Sequence, residues 1–424
     1  MMKRWLTAST LALLATPVAA PAQDHESEIR ALSERRDVRR AFSVIESTRD
    51  RFIEELIELT EIPAPPFGEE IRAARFAELL EDAGLPDVTI DAVGNVLARR
   101  PGDSERVIAM VAHLDTVFPE GTDVTVGRDG DELTAPGIGD DTAGLCLVLA
   151  LIRALQAAVI ATDAELLFVG SVGEEGLGDL RGVKHLFREN GPRIDSFIAV
   201  DGGRTERVMH KALGSHRYRV TFRGPGGHSW GAFGLANPAH ALGRAVYHFE
   251  QSAAEFVSTG VKTSYNVGRI GGGTSVNSIP FENWMEIDLR SESPERLKQI
   301  DALLQEAVAL ALEESNQERF RKRGDPLTVS VEMIGDRPSG ETPIEAPLVG
   351  RALAATRFFG VEPTLGIGST DSNIPISKGV PAITIGRGGS SSGAHSLDEW
   401  WADTEGGVGV KKALLILLAE AGVR

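Results

Sequence analysis

With a single cysteine, Cys146, this chain cannot close an intramolecular disulfide in any compartment, so the fold must be held by packing. Cys146 lies in the apolar run Ala143 to Leu149 and reads as a small buried hydrophobe. Positive charge is also scarce. Lys and Arg number 44 against 61 Asp and Glu, a net charge of −17 that deepens by two units if Lys3 and Arg4 are removed. That sign argues against nucleic acid or an anionic membrane as partner. A cluster of metal-binding carboxylates can account for part of the excess, and solvated surface for the rest. Long apolar runs are missing too. A membrane span wants about 18 or more strongly apolar residues, whereas the stretch Trp5 to Ala20 is shorter and broken by Thr and Pro. Preceded by Lys3-Arg4 and followed by Ala20-Pro21-Ala22, it has the three parts of a secretory signal. The expectation is a signal over residues 1–22, cleavage near Ala22, and an exported protein, periplasmic or secreted, with no membrane span left. No cysteine near that point offers a lipid attachment site.

What is present is an ordinary globular composition, 42% hydrophobic and 25% charged over 424 residues, enough for two cores. Residues 26–60 have helical periodicity, and a second helix over 69–83 ends at Gly84. Apolar strand-like runs then alternate with helical patterns to about Gly203, which predicts a largely parallel sheet. From Ala212 the order changes to strand 216–222, helix 238–251, strands 263–270 and 283–289, helix 294–314 and strand 327–334. This βαββαβ order is ferredoxin-like. The first style returns with helix 346–359, strand 381–385 and helix 408–421. The reading is therefore an α/β protein: a mostly parallel-sheet domain, residues 43–212 and 336–424, interrupted by an α+β domain at 213–335.

The chemistry gathers where apolar runs stop. Val107 to Ala112 runs into His113-Leu114-Asp115, Leu166 to Val172 into Gly173-Glu174-Glu175, and Phe197 to Val200 into Asp201. In open α/β sheets ligands collect at the carboxyl ends of strands, so His113, Asp140, Glu175, Asp201 and His395 are candidates for one site. A dinuclear hydrolytic centre needs few ligands per metal, a bridging carboxylate and an open position for water. His113 offers an imidazole that Asp115 can orient by accepting its other ring proton. Asp140 sits in the glycine-rich turn Gly137 to Gly144, and of Glu174 and Glu175 one can bind metal while the other acts as base.

With His113-Leu114-Asp115, Gly139-Asp140-Asp141, Gly173-Glu174-Glu175-Gly176, Asp201-Gly202 and Ala394-His395-Ser396 in order, the chain resembles the two-zinc metallopeptidases. That family includes tripeptide aminopeptidase (peptidase T), glutamate carboxypeptidase, aminoacylase and succinyl-diaminopimelate desuccinylase. The resemblance runs from about residue 45 to the end. It implies two divalent ions, zinc first, with manganese or cobalt also suited to such donors. It makes Asp140 the bridge, His113 and Asp201 the partners on one metal, Glu175 and His395 those on the other, and Glu174 the general base. It also implies a cis peptide after Asp140. The inserted domain would be a lid and dimerisation domain, carrying His228 as an oxyanion donor, often supplied by the partner subunit of a homodimer, and Asn277 and Arg290 as substrate contacts. Thr142 departs from the usual lysine there. Aspartate at 201 goes, in that family, with aminopeptidases and dipeptidases.

The resulting expectation is an exported dinuclear zinc exopeptidase of aminopeptidase or dipeptidase type acting on small peptides. Alternatives are a carboxypeptidase or N-acyl-amino-acid deacylase on the same site, and more remotely a serine hydrolase or a non-catalytic metal-binding protein. The serine reading rests on Gly227-His228-Ser229-Trp230-Gly231, a match to the nucleophile elbow, but that motif requires a strand running into the serine and a helix out of it.

Overall fold

The computed structural model describes residues 24–317 and 324–424, so the expected signal at 1–22 lies outside the described residues. Among them no helix is long and apolar enough to cross a membrane. The strand Val107–His113 shows why the large domain forms. Every one of its residues is buried, yet Ile108, Met110 and Ala112 enter one core while Val107, Ala109 and Val111 enter another. Alternation with period two on a strand covered on both faces gives that division. The larger core is closed by apolar helices, of which Gly144–Ala158 and Val408–Ala421 are almost wholly buried.

Nine strands make this sheet, with Glu165–Ser171, Val107–His113, Ser196–Val200 and Ala382–Ile385 side by side and parallel at its centre. The flanks are antiparallel: Val96–Arg100 on Glu165–Ser171, and Arg207–Ala212 on Ala382–Ile385. The sheet is thus mixed, with the parallel part where the site lies. Helices from His25 onward pack on it, and Ile29 and Val38 are fully buried, so the core begins ahead of the expected boundary at 43.

The inserted domain has four antiparallel strands in the order Thr263–Gly272, Glu282–Ser291, Gly214–Arg223 and Thr328–Arg337. Helices Pro238–Val257 and Pro294–Gln317 cover one face. Along Glu282–Ser291, Met285, Ile287 and Leu289 point into that core, which turns Trp284, Glu286, Asp288 and Arg290 to the other side. A second small sheet joins Ser390–Ser392, Trp400–Ala402 and Glu132–Thr134. It draws the loop holding His395 toward the turn holding Asp140. Trp401 is core: its ring stacks on Phe52 at 5.5 Å and its indole N–H donates to Gly388 O.

Under the carboxyl ends of two strands lies a fully buried lysine, Lys412, whose Nζ donates to Thr205 O at 2.7 Å and Gly386 O at 3.2 Å. Burial pushes it down from 10.5 to about 7. Between those values the unfolded chain binds a proton that the folded chain does not, so this group makes stability rise with pH. Lys412→Met should flatten that rise, so that the wild type gains on the variant between pH 7 and 10.5; urea unfolding of both across that window checks it.

Candidate metal centre

His113 closes its strand with 2% of its surface exposed. Its Nδ1 lies 2.9 Å from the main-chain carbonyl of Asp115, which makes Nδ1 the protonated nitrogen and leaves Nε2 as an acceptor. The sequence assigned that orienting contact to the Asp115 carboxylate, whose nearer oxygen is 3.7 Å away. Two residues past a strand end, the carbonyl reaches back to the ring and the side chain is free to reach the next strand end. There it accepts the N–H groups of Glu174 (2.9 Å) and Glu175 (2.8 Å), fixing the turn that carries both.

Asp140 enters from a tight segment before the helix Gly144–Ala158, and its peptide to Asp141 is cis. Glu399 organises this segment: its carboxylate accepts N–H groups from Gly137 (2.8 Å), Gly139 (3.0 Å) and Asp140 (2.7 Å). A Cβ on Gly139 would come within 2.7 Å of the Glu399 carboxylate and 2.9 Å of the Arg387 guanidinium, so a larger residue there would push on the two side chains that line the turn. Asp201 follows Ser196–Val200 and is anchored by its N–H to Ile385 O at 3.1 Å. His395 has φ 67, a left-handed conformation uncommon for a residue with a side chain.

These elements meet around Asp140. One of its oxygens is 3.4 Å from His113 Nε2, and the other 3.3 Å from His395 Nε2, which also lies 2.9 Å from Glu175. The donor atoms of His113, Asp140 and Asp201 lie within 4.8 Å of one another, as do those of Asp140, Glu175 and His395. Two triads thus share one carboxylate. His113 Nε2 is buried without a hydrogen-bond partner, an unusual cost for a polar atom unless a cation takes it. Burial, and then the charge of Asp140, push Asp201 up to about 7. Burial likewise holds Glu174 well above the usual carboxylate range, against the pull of Arg337. A donor set of this kind, imidazoles and crowded carboxylates, fits divalent cations, which relieve that repulsion.

Above the cluster opens a cavity of about 610 Å³ whose walls include Asp140, Glu174, Glu175, Asp201, His395 and, from the inserted domain, Arg217 and Arg290. Of the expected substrate contacts, Arg290 reaches this cavity, while His228 and Asn277 are not among its lining residues. They sit together elsewhere on the inserted domain, where Gly227–His228 pairs with Ser278–Ile279 and His228 Nδ1 accepts from Trp230 N at 3.2 Å. The family resemblance named both as substrate contacts, but which way the segments carrying them face is set by the fold and not by local sequence. The serine-elbow context is missing, since the strand before Ser229 is two residues long and the next helix starts only at Pro238.

Two residues escaped the sequence reading. Arg337, 3% exposed, bonds Glu174 Oε1 at 3.1 Å and also donates to the Glu174 carbonyl. Glu399 follows His395 by four positions, and only that proximity hinted at it.

A profile of peptidase family M20/M25/M40 matches residues 109–418, well over half of the chain. An uncharacterized Bacillus subtilis protein, YqjE, is 23% identical over 353 residues, spanning 80% of this chain and 90% of that one. Among solved structures, aminopeptidase PepT of Bacillus cereus superposes with a TM-score of 0.68 at 21% identity, over 87% of this chain and 98% of that one. The di-peptidase Dug1p of Saccharomyces cerevisiae gives 0.70 at 17%, over 91% and 98%. A hydantoinase/carbamoylase-family amidase of Burkholderia vietnamiensis gives 0.66 at 17%, over 88% and 97%. At such identities these structures speak for the fold.

The adjacent glutamates should separate by experiment. Glu174→Gln should retain metal, measured by atomic emission on the purified protein, and lose about 10²–10⁴-fold in rate, the worth of general acid–base work. Glu175→Gln should lose metal. Equal metal contents in the two variants would refute the division of roles.

Proposed function

The chain belongs to peptidase family M20/M25/M40 and is a metal-dependent hydrolase, and from that premise we propose that it acts as a dinuclear zinc exopeptidase on small peptides. The observation that carries this reading is Asp140 with one oxygen toward His113 and the other toward His395. His113 and Asp201 would hold one ion, Glu175 and His395 the other, and Asp140 both. Bound divalent ions polarise a substrate carbonyl and acidify water. Glu174, beside the donor cluster, takes a proton from the attacking water and delivers it to the departing amine. Arg337 holds the carboxylate of Glu174 in place, and Asp115 holds the backbone beneath it. Arg290 offers a guanidinium to a substrate carboxylate. We keep aminopeptidase or dipeptidase action as the first reading, with carboxypeptidase or N-acyl-amino-acid deacylase action as the second, which Arg290 in the cavity favours. Export rests on the segment 1–22.

We also propose that a second copy completes the site. His228 and Asn277 stand outside the cavity amid exposed apolar residues, Trp230 at 88%, Phe233 at 71% and Val276 at 103% exposure. Surfaces of this kind mark partner contacts. His228→Ala mixed with Glu174→Gln should recover activity if the histidine acts in trans, and verified mixed dimers without activity would exclude it.

For the activity itself, zinc-loaded mature protein should hydrolyse members of a panel of di-, tri- and N-acylated substrates, lose that activity to EDTA, and ignore a serine-directed inhibitor. Release rates followed by mass spectrometry decide it; activity surviving a chelator that demonstrably strips the metal would overturn the reading.

A further inference from the structure

The cavity wall beyond the donor cluster has an unbalanced charge that points to the kind of substrate it takes. Its acidic residues are Asp140, Glu174, Glu175, Asp201 and Glu399. The first four belong to the proposed metals and base, and Glu399 spends its carboxylate on three backbone N–H groups. No lining carboxylate is left over to receive a substrate ammonium.

Positive charge is plentiful by contrast. Five arginines line the same space: Arg207, Arg217, Arg290, Arg337 and Arg387. Arg337 is held on Glu174, and Arg387 lies buried with Nη1 3.6 Å from Asp141. Arg217 and Arg290 share one carboxylate, that of Asp288, at 3.0 and 2.7 Å. Arg207, exposed on the strand Arg207–Ala212, directs its Nη2 to the sulfur of Met209 at 3.5 Å, a weak acceptor that neutralises nothing. Three guanidinium groups therefore face one carboxylate along this wall, leaving two positive charges for a ligand. One comes from the inserted domain and the other from the large domain. In a protein of net charge −17 such a patch is a local reversal that a concave, low-dielectric wall would focus.

Resting on the peptidase reading above, we propose that Arg207 is a specificity residue that holds a second anionic group of the substrate. The first, a carboxylate, goes to Arg290. The preferred substrates are then small acidic peptides or N-acyl dicarboxylic amino acids over their neutral counterparts.

The test is a matched series given to the zinc-loaded mature enzyme: neutral alanyl dipeptides, their glutamyl counterparts with the acid on either side of the scissile bond, and the N-acetylated forms. One charge-assisted pair corresponds to roughly 10- to 100-fold in affinity or transition-state binding. We expect kcat/KM for the best acidic substrate to exceed that of its neutral match by that factor. Arg207→Ala should remove most of the preference, Arg207→Lys keep part of it, and Arg207→Glu invert it. Each ratio is taken within one preparation, so loss of folded enzyme cancels. Equal kcat/KM for acidic and neutral substrates, or a preference untouched by Arg207→Ala, overturns the inference while the peptidase stands. No hydrolysis anywhere in the series overturns the peptidase reading and this inference together.

Discussion

Like charges crowded at the carboxyl ends of parallel strands are the constraint around which the rest of this molecule is arranged. Asp140, Glu174, Glu175 and Asp201 converge there, and Asp115, Asp141 and Asp371 lie buried behind them. Burial without compensation drives such groups to hold protons near neutrality, as the rise of Asp201 to about 7 and Asp371 to about 6 illustrates. The structure meets the problem in two layers. Behind the cluster, Asp115, Asp141 and Glu399 accept backbone N–H groups from Glu174, Glu175, His113, Gly137, Gly139 and Asp140. Those contacts use dipoles already fixed by the chain path. In front, the remaining carboxylates and two imidazoles face each other, which is the arrangement that a divalent cation stabilises.

The supporting hydrogen bonds also explain why the donors can come from such distant parts of the chain. Each lies at or just beyond an element whose position the core dictates. Strand Val107–His113 is gripped on both faces, Ser196–Val200 and Ala382–Ile385 are parallel neighbours, and the small sheet from Glu132 to Ala402 ties the Asp140 turn to the His395 loop. Packing therefore sets the site to the precision of the sheet, and the acidic second layer removes the freedom left in the turns.

The strand ends and the βαββαβ order were legible because both are local patterns: a run of apolar residues that stops, and periodicity that switches between two and 3.6. Arg337 and Glu399 were illegible for the opposite reason. Their bonds to Glu174 and Gly139 span 163 and 260 positions, and a lone Arg before Pro338 or a Glu near the end of a loop looks like surface until the fold is closed. The role of Asp115 was misassigned in kind: spacing places its side chain near His113 but cannot tell a carboxylate from the carbonyl of the same residue. The direction faced by His228 and Asn277 depends on how two domains dock, which no local pattern encodes.

That docking bears on chemistry through one short segment. The two strands by which the chain enters and leaves the inserted domain both touch the residues that follow the proposed base. Arg217 donates to Gly176 O at 2.5 Å, Asp336 N donates to the Asp179 carboxylate at 3.0 Å, and Arg337 holds Glu174 itself. The donors His113, Asp140, Asp201 and His395, by contrast, are all anchored within the large domain. The inserted domain is thus tied directly to Glu174 and carries Arg217 and Arg290 of the cavity wall, and it reaches the donor set only indirectly. The proposed cation donors and the proposed base in this way depend on different parts of one fold, joined at a pair of adjacent glutamates of which one faces His395 and the other Arg337, at the end of the strand that leaves the inserted domain.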